Sequence, residues 1–215
     1  DAPSIIATHL TEIIKHHAAE ILGRQEVQAI LDTLKSDYPA VVSEVNKNLS
    51  VGEIQKVLQN LLQEQVSIRN MVAILETIAD YAGISRDISF LVEKTRQSLG
   101  RQISLQHSDE EKVLRVLTLE PDLEQIIIDS RLETTAGSIA ALEPEAQRKW
   151  INALANSVRQ IHEQGHMPVI LCSEAARILV KTSSKREIPD LVVLSVPEIA
   201  TDVRIEPLGE ISIEG

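Results

Sequence analysis

The apolar residues of this chain change their spacing once, between Arg101 and Ser108, and that change restricts the fold to two joined parts of different kind. Before it, they recur at helical spacing. Ile6, Leu10, Ile13, Ile14, His17 and Ile21 fall on one stripe, with Pro3 early and Gly23 just beyond. Val27, Ile30 and Leu31 predict a helix over 25–34, which Tyr38-Pro39 is expected to stop. Ser50 and Glu53 have the spacing of a capping box ahead of Ile54, Val57, Leu58, Leu61 and Leu62. Ser67 is expected to cap a fourth helix through Met71, Ile74, Leu75 and Ile78 to Gly83, and a fifth runs over 86–99 with Gly100 as its C-terminal stop. Residues 1–104 are therefore expected to form an all-helical subdomain.

After the change, short apolar runs rich in β-branched residues alternate with helical stretches, so 105–215 is expected to be a small α/β subdomain and the fold class mixed. Strands are predicted at 113–119, 169–172, 191–196 and 203–213. Ser173 to Ser183, with a Ser cap and a stripe of Ala176, Ile178, Leu179 and Val180, joins two of them into a βαβ unit. A helix over 144–164 through Trp150, Ile151, Leu154, Val158 and Ile161 covers one face. Another is predicted over 121–132, and 134–142 reads as a loop.

Composition narrows the function. Apolar residues make up 43% of the chain but aromatic ones only 2%, so the core must be built from Leu, Ile, Val and Ala, and stacking platforms for bases are lacking. A net charge of -11, concentrated in the second half, argues against nucleic acid and anionic lipid as partners, because both require a basic face. Cys172 is the sole cysteine, which rules out an internal disulfide. No run is long and apolar enough for a membrane span, and a chain opening on Asp1 without a signal-like start reads as part of something longer.

The catalytic patterns are weak. His162-Glu163-Gln164-Gly165-His166 spells H-E-x-x-H, which places two zinc ligands on one helical face in metalloproteases. Gly165 should end the helix and Met167-Pro168 lead into a strand, so His166 is expected to leave that face, while His162 suits a cation at a helix C-terminus. Cys172-Ser173 sits at a strand-to-helix junction where a thiol can be activated, yet no His is assignable as its base and a buried strand-end Cys is the plainer reading. A metal- or thiol-dependent hydrolase using His162, His166 or Cys172 is the alternative function. His16 and His17 are adjacent and project differently, His17 onto the apolar stripe. Neither glycine-rich phosphate motif occurs, so no nucleotide or other cofactor is implied. Lys181, Lys185 and Arg186 read as a solvated basic helix end.

Ala7-Thr8-His9-Leu10, Leu22-Gly23-Arg24-Gln25-Glu26, Val57-Leu58-Gln59-Asn60-Leu61-Leu62, Ser67-Ile68-Arg69 with Ile74-Leu75-Glu76-Thr77, and Leu99-Gly100-Arg101 follow one another in this order. Pro168-Val169-Ile170-Leu171 and Pro189-Asp190-Leu191-Val192-Val193-Leu194-Ser195 continue the series. Over nearly its whole length the chain thus resembles the type III export-gate family of the bacterial flagellum and its virulence-secretion relatives, with the Gly-Arg-Gln-Glu text on the flagellar side. The resemblance implies the cytosolic tail of an inner-membrane protein whose membrane-embedded half is absent here. It further implies the last two of four subdomains, a nonameric ring of copies, and export chaperone–substrate complexes and other export-apparatus proteins as partners, without enzymatic activity. Thr8 resembles a position at the border of the chaperone-docking cleft, or is a plain helix-face residue. Arg24, Glu26, Arg69 and Asn70 are polar positions inside the matching motifs, suited either to contacts between neighbouring protomers or to ion pairs within the chain.

Overall fold

In the computed structural model, residues 19–213 are described, and they fall into two compact units that meet in sequence between Leu99 and Gly100. Thr8, His16, His17 and most of the first predicted helix lie outside the described residues. Residues 19–21 are helical, with Ala19 buried and Ile21 70% exposed.

The first unit contains α1 (Arg24–Lys35), α2 (Pro39–Asn48), α3 (Val51–Gln63), α4 (Met71–Ala82) and α5 (Ile88–Ser98). Their stripes converge: Val27, Val45, Ile54, Val57, Leu61, Ile74 and Ile78 are fully buried. Each such aliphatic side chain contributes about 1.5–3 kcal/mol relative to exposure. The expected capping box is present, Ser50 Oγ accepting from the Glu53 amide at 3.2 Å and Glu53 Oε1 from the Ser50 amide at 3.1 Å. Helix α2 was not expected. Pro39, read as a stop, occupies its first turn, where a missing N–H costs nothing and the fixed φ favours entry. Ser67 does not cap α4 either; its Oγ accepts from the Arg69 amide, and Asn70 stands at the N-cap without a side-chain bond.

The second unit opens with α6 (Gly100–His107), where the sequence implied a helix stop at Gly100 and a change of apolar spacing. It continues with β1 (Val113–Leu119), α7 (Pro121–Asp129), β2 (Arg131–Thr134), β3 (Gly137–Ala140), α8 (Pro144–Glu163), β4 (Val169–Cys172), α9 (Glu174–Ser184), β5 (Val192–Ser195), a short 3₁₀ turn (Val196–Glu198) and β6 (Arg204–Ile211). Four strands form a parallel sheet in the order β5-β4-β1-β6. The βαβ unit is β4-α9-β5, its helix capped by Ser173 Oγ accepting from the Ala176 amide. β1 is buried on both faces and reads almost continuously apolar, as a central parallel strand should. Pro207 is accommodated because β6 is an edge strand and its register with β1 shifts there.

Where a loop was expected over 134–142, β2 and β3 make an antiparallel hairpin with Leu132 opposite Ile139. Its two-residue link, Thr135-Ala136, carries none of the usual turn residues. The turn is held by Thr134 Oγ1, which donates to the Gly137 carbonyl and accepts from the Ala136 amide, with Gly137 at φ 121°. Trp150, fully buried from α8, donates its indole N–H to Ser183 Oγ at 2.9 Å.

Candidate functional site

Two of the four expected interface positions lie in the first turn of a helix of the first unit, and the other two immediately precede one. Gly23 is extended at φ -87°, so α1 starts at Arg24 with Glu26 in its first turn, an acidic residue favoured by the helix dipole. The Arg24 guanidinium lies against the start of α3, so close to Gly52 that a methyl group there would meet Nε at 3.1 Å. Arg69 and Asn70 stand immediately before α4. All four are exposed, and their side chains form no ion pair or hydrogen bond among the described residues. The pairing that does occur beside them joins Arg86 Nη2 to Glu53 Oε1 at 2.6 Å. Burial acts to raise the Glu53 carboxyl, but the Ser50 amide and the Arg86 guanidinium together hold it below its ordinary value.

The catalytic alternative fails on geometry. α8 ends at Glu163, and Gly165, at φ 83°, turns the chain out of the helix. The Gly165 amide donates to the His162 carbonyl and the His166 amide to the Ile161 carbonyl, the paired bonds of a left-handed helix stop. His162 remains exposed on the helix while His166 turns away from its face. Cys172 is buried in β4 with Sγ 3.8 Å from the Leu194 carbonyl, where it packs in the sheet core. No group of three His, Cys, Asp or Glu is placed to hold a metal among the described residues.

Lys181 corrects the basic-cluster reading. Lys185 and Arg186 are exposed, but Lys181 is buried and donates Nζ to the Pro189 carbonyl at 3.0 Å and the Leu191 carbonyl at 2.6 Å, closing the chain between α9 and β5. A second buried polar group escaped sequence reading altogether. Arg177 and Glu198 are both fully buried. Arg177 Nη1 donates to the Val193 carbonyl at 3.2 Å, its Nε stands 4.0 Å from Glu198 Oε1, and that oxygen accepts from the Ser195 amide and hydroxyl. Ser195 and Glu198 carry a capping-box spacing, the one sequence signal that could have pointed to the turn.

The comparisons extend over the whole chain. The FHIPEP family matches residues 1–204. The flagellar biosynthesis protein FlhA of Borreliella burgdorferi is 52% identical over 100% of this chain and 31% of its own length. FlhA of Bacillus subtilis is 42% identical over 99% of this chain and 32% of its own. The chain thus spans about a third of the length of these relatives. Among structures, the Chlamydia pneumoniae CdsV protein superposes with TM-score 0.87 at 29% identity, over 97% of this chain and 60% of that one. CdsV has also been seen in complex with CdsO, at TM-score 0.82 and 29% identity over 99% of this chain and 62% of that one. The nonameric EscV cytosolic domain from the type III secretion system superposes with TM-score 0.83 at 28% identity, over 98% of this chain and 62% of that one. With a family match that runs through both units and relatives of such identity end to end, the chain belongs to the FHIPEP family of export-gate proteins.

Proposed function

We propose that this chain is a docking and ring-forming module of a flagellar type III protein export gate, held at the cytoplasmic face of the inner membrane by a longer protein. The observation that carries the reading is end-to-end identity of 52% to a flagellar biosynthesis protein, together with a shared fold with a nonameric secretion-system domain. The flagellar assignment follows from identities of 52% and 42% to FlhA proteins against 28–29% to CdsV and EscV. In this reading neighbouring copies meet through polar positions of the first unit, with Arg24, Glu26, Arg69 and Asn70 as contact residues. Export chaperones with their substrates and other apparatus proteins are the partners, the CdsV–CdsO complex being the precedent for the latter. Thr8 would lie at the border of the chaperone site, with the rest of that site upstream of Asp1.

Charge reversal at an exposed interface residue separates this role from internal pairing. In the full-length protein, Arg69→Glu is expected to lower export of flagellar substrates several-fold, while the melting temperature of the 215-residue chain stays unchanged. Normal export with Arg69→Glu, or unfolding of the chain, would overturn the assignment of Arg69.

A further inference from the structure

The β2–β3 hairpin has one edge that the fold covers and one that it leaves open. The Ala141 amide donates to the Ser130 carbonyl and Leu132 lies opposite Ile139, so Ser130, Leu132 and Thr134 turn their backbone groups toward β3. Arg131 and Glu133 turn theirs the other way. Among the described residues no hydrogen bond reaches those outward groups, whereas on the far side of β3 the Ala140 amide is taken by Thr182 Oγ1 at 3.1 Å. The parallel sheet guards its edges: Pro207 removes a donor from β6, and Arg177 and Lys181 occupy the Val193 and Leu191 carbonyls at β5. β2 carries no proline, lysine or bulge, and all four of its residues are exposed.

Side chains decide what such an edge receives. Leu132 is 50% and Ile139 37% exposed, and as opposite residues they share one face of the hairpin. On the other face Arg131 donates Nε to Glu133 Oε1 at 2.6 Å and Nη2 to Ser138 Oγ at 2.7 Å, and Ser138 Oγ donates to Glu133 Oε2 at 2.8 Å. That network holds both charged side chains beside the open edge. A strand pairing antiparallel with β2 must set a carboxylate opposite Arg131, an apolar residue opposite Leu132 and a cation opposite Glu133. From its N-terminus that strand reads cation, apolar, carboxylate, which is the order of Arg131-Leu132-Glu133 itself. β2 is its own complement. We propose that β2 pairs antiparallel with β2 of a second copy about a two-fold axis at Leu132, making a four-stranded sheet in the order β3-β2-β2-β3. Arg131 of each copy then lies opposite Glu133 of the other, the outward backbone groups of both are satisfied, and Ile139 and Leu132 join their counterparts in one apolar row. An isologous contact of this kind cannot close a ring of nine copies, so it is separate from the first-unit contacts proposed above. So short an edge buries far less than the roughly 1,200 Å² of a stable complex, which places the dimer near millimolar concentration.

Sedimentation equilibrium of the whole chain between about 10 μM and about 1 mM should show monomer passing to dimer and no larger species. Arg131→Glu and Glu133→Arg each set like charges across the axis, and each should weaken self-association about tenfold. Mixed in equal amounts, the two variants regain both opposite-charge pairs and should form a heterodimer as tight as the wild-type dimer. The double variant Arg131→Glu/Glu133→Arg keeps the complement and should dimerise like wild type. Arg69→Glu, in the first unit, should leave the dimer unchanged, which separates this contact from the ring contact. The inference is overturned by a chain that stays monomeric at millimolar concentration, by single variants that associate like wild type, by a mixture no tighter than its components, or by a dimer that Arg69→Glu abolishes.

Discussion

At the scale of single residues, the second unit depends on contacts with no slack. A Cβ built on Gly100 would stand 2.6 Å from the Glu198 carbonyl oxygen, a backbone atom that cannot swing away. Gly100→Ala is therefore expected to destabilise the chain by about 1–3 kcal/mol, the usual cost of overpacking, measured as a drop in the urea midpoint. Glu198 itself accepts from the Ser195 amide and the Ser195 hydroxyl and, at longer range, faces Arg177. Truncating it leaves a buried guanidinium with less compensation, so Glu198→Ala should cost about 3–5 kcal/mol. Replacing Arg177 and Glu198 together by Met and Leu should cost less than Glu198→Ala alone, and the reverse order would refute the account of the pair.

Between elements, one exposed carboxylate ties three segments of the second unit. Asp202, in the turn before β6, accepts from Arg101 on α6 and from Lys112, which leads into β1. Hydrogen bonding from Arg101, then from Lys112, holds the Asp202 carboxyl well below the ordinary carboxylate range, while Asp202 in turn raises Arg101. Because the folded carboxyl is the more acidic one, the stability it adds is full above the unfolded value of roughly 3.9 and is lost as pH falls toward the folded value. Asp202→Asn should thus lower the melting temperature at neutral pH, and the gap to wild type should narrow as the solution is acidified through that range. A gap that widens in acid would mean that the two cations do not act on Asp202 as described. The effect is modest, since the site is solvated and the pairs are screened.

On the scale of the whole molecule, the buried apolar stripes of α1 to α5 are used inside the first unit, and apart from Ile21, Tyr38 and Ile84 its described surface offers no large exposed hydrophobic side chain for contact with a copy. Exposed ion pairs contribute roughly 0–1 kcal/mol each, so a ring closed by them needs the high local concentration that anchoring in a membrane supplies. The isolated chain is accordingly expected to sediment as a monomer at micromolar concentration, and a stable nonamer there would show that the ring surface is apolar and was misplaced. The same charge balance predicts no salt-dependent mobility shift with duplex DNA.

What the sequence determined by itself is whatever depends on neighbours in the chain. The stripe of Ile54, Val57, Leu58 and Leu61, the Ser50–Glu53 box, the apolar run of β1 and the stop at Gly165 follow from periods of 3.6 and 2 and from backbone chemistry within a few residues. The motif series likewise carried the family, because it lies in the text and not in the fold. Tertiary structure decided the rest. Whether Pro39 ends a helix or begins one depends on what α2 can pack against, since the ring tolerates either place. Thr135-Ala136 links a hairpin through local bonds of Thr134, and β3 is held in place from outside the hairpin by α9, where the Ala140 amide finds Thr182 Oγ1. Arg177, Lys181 and Glu198 are ordinary surface types in sequence, and they are buried because groups distant in the chain supply the partners that offset their desolvation. The meeting of His107, Arg115 and His166 in one cavity is of the same kind, for sequence separation carries no information about which strand end a histidine will reach once the sheet has closed.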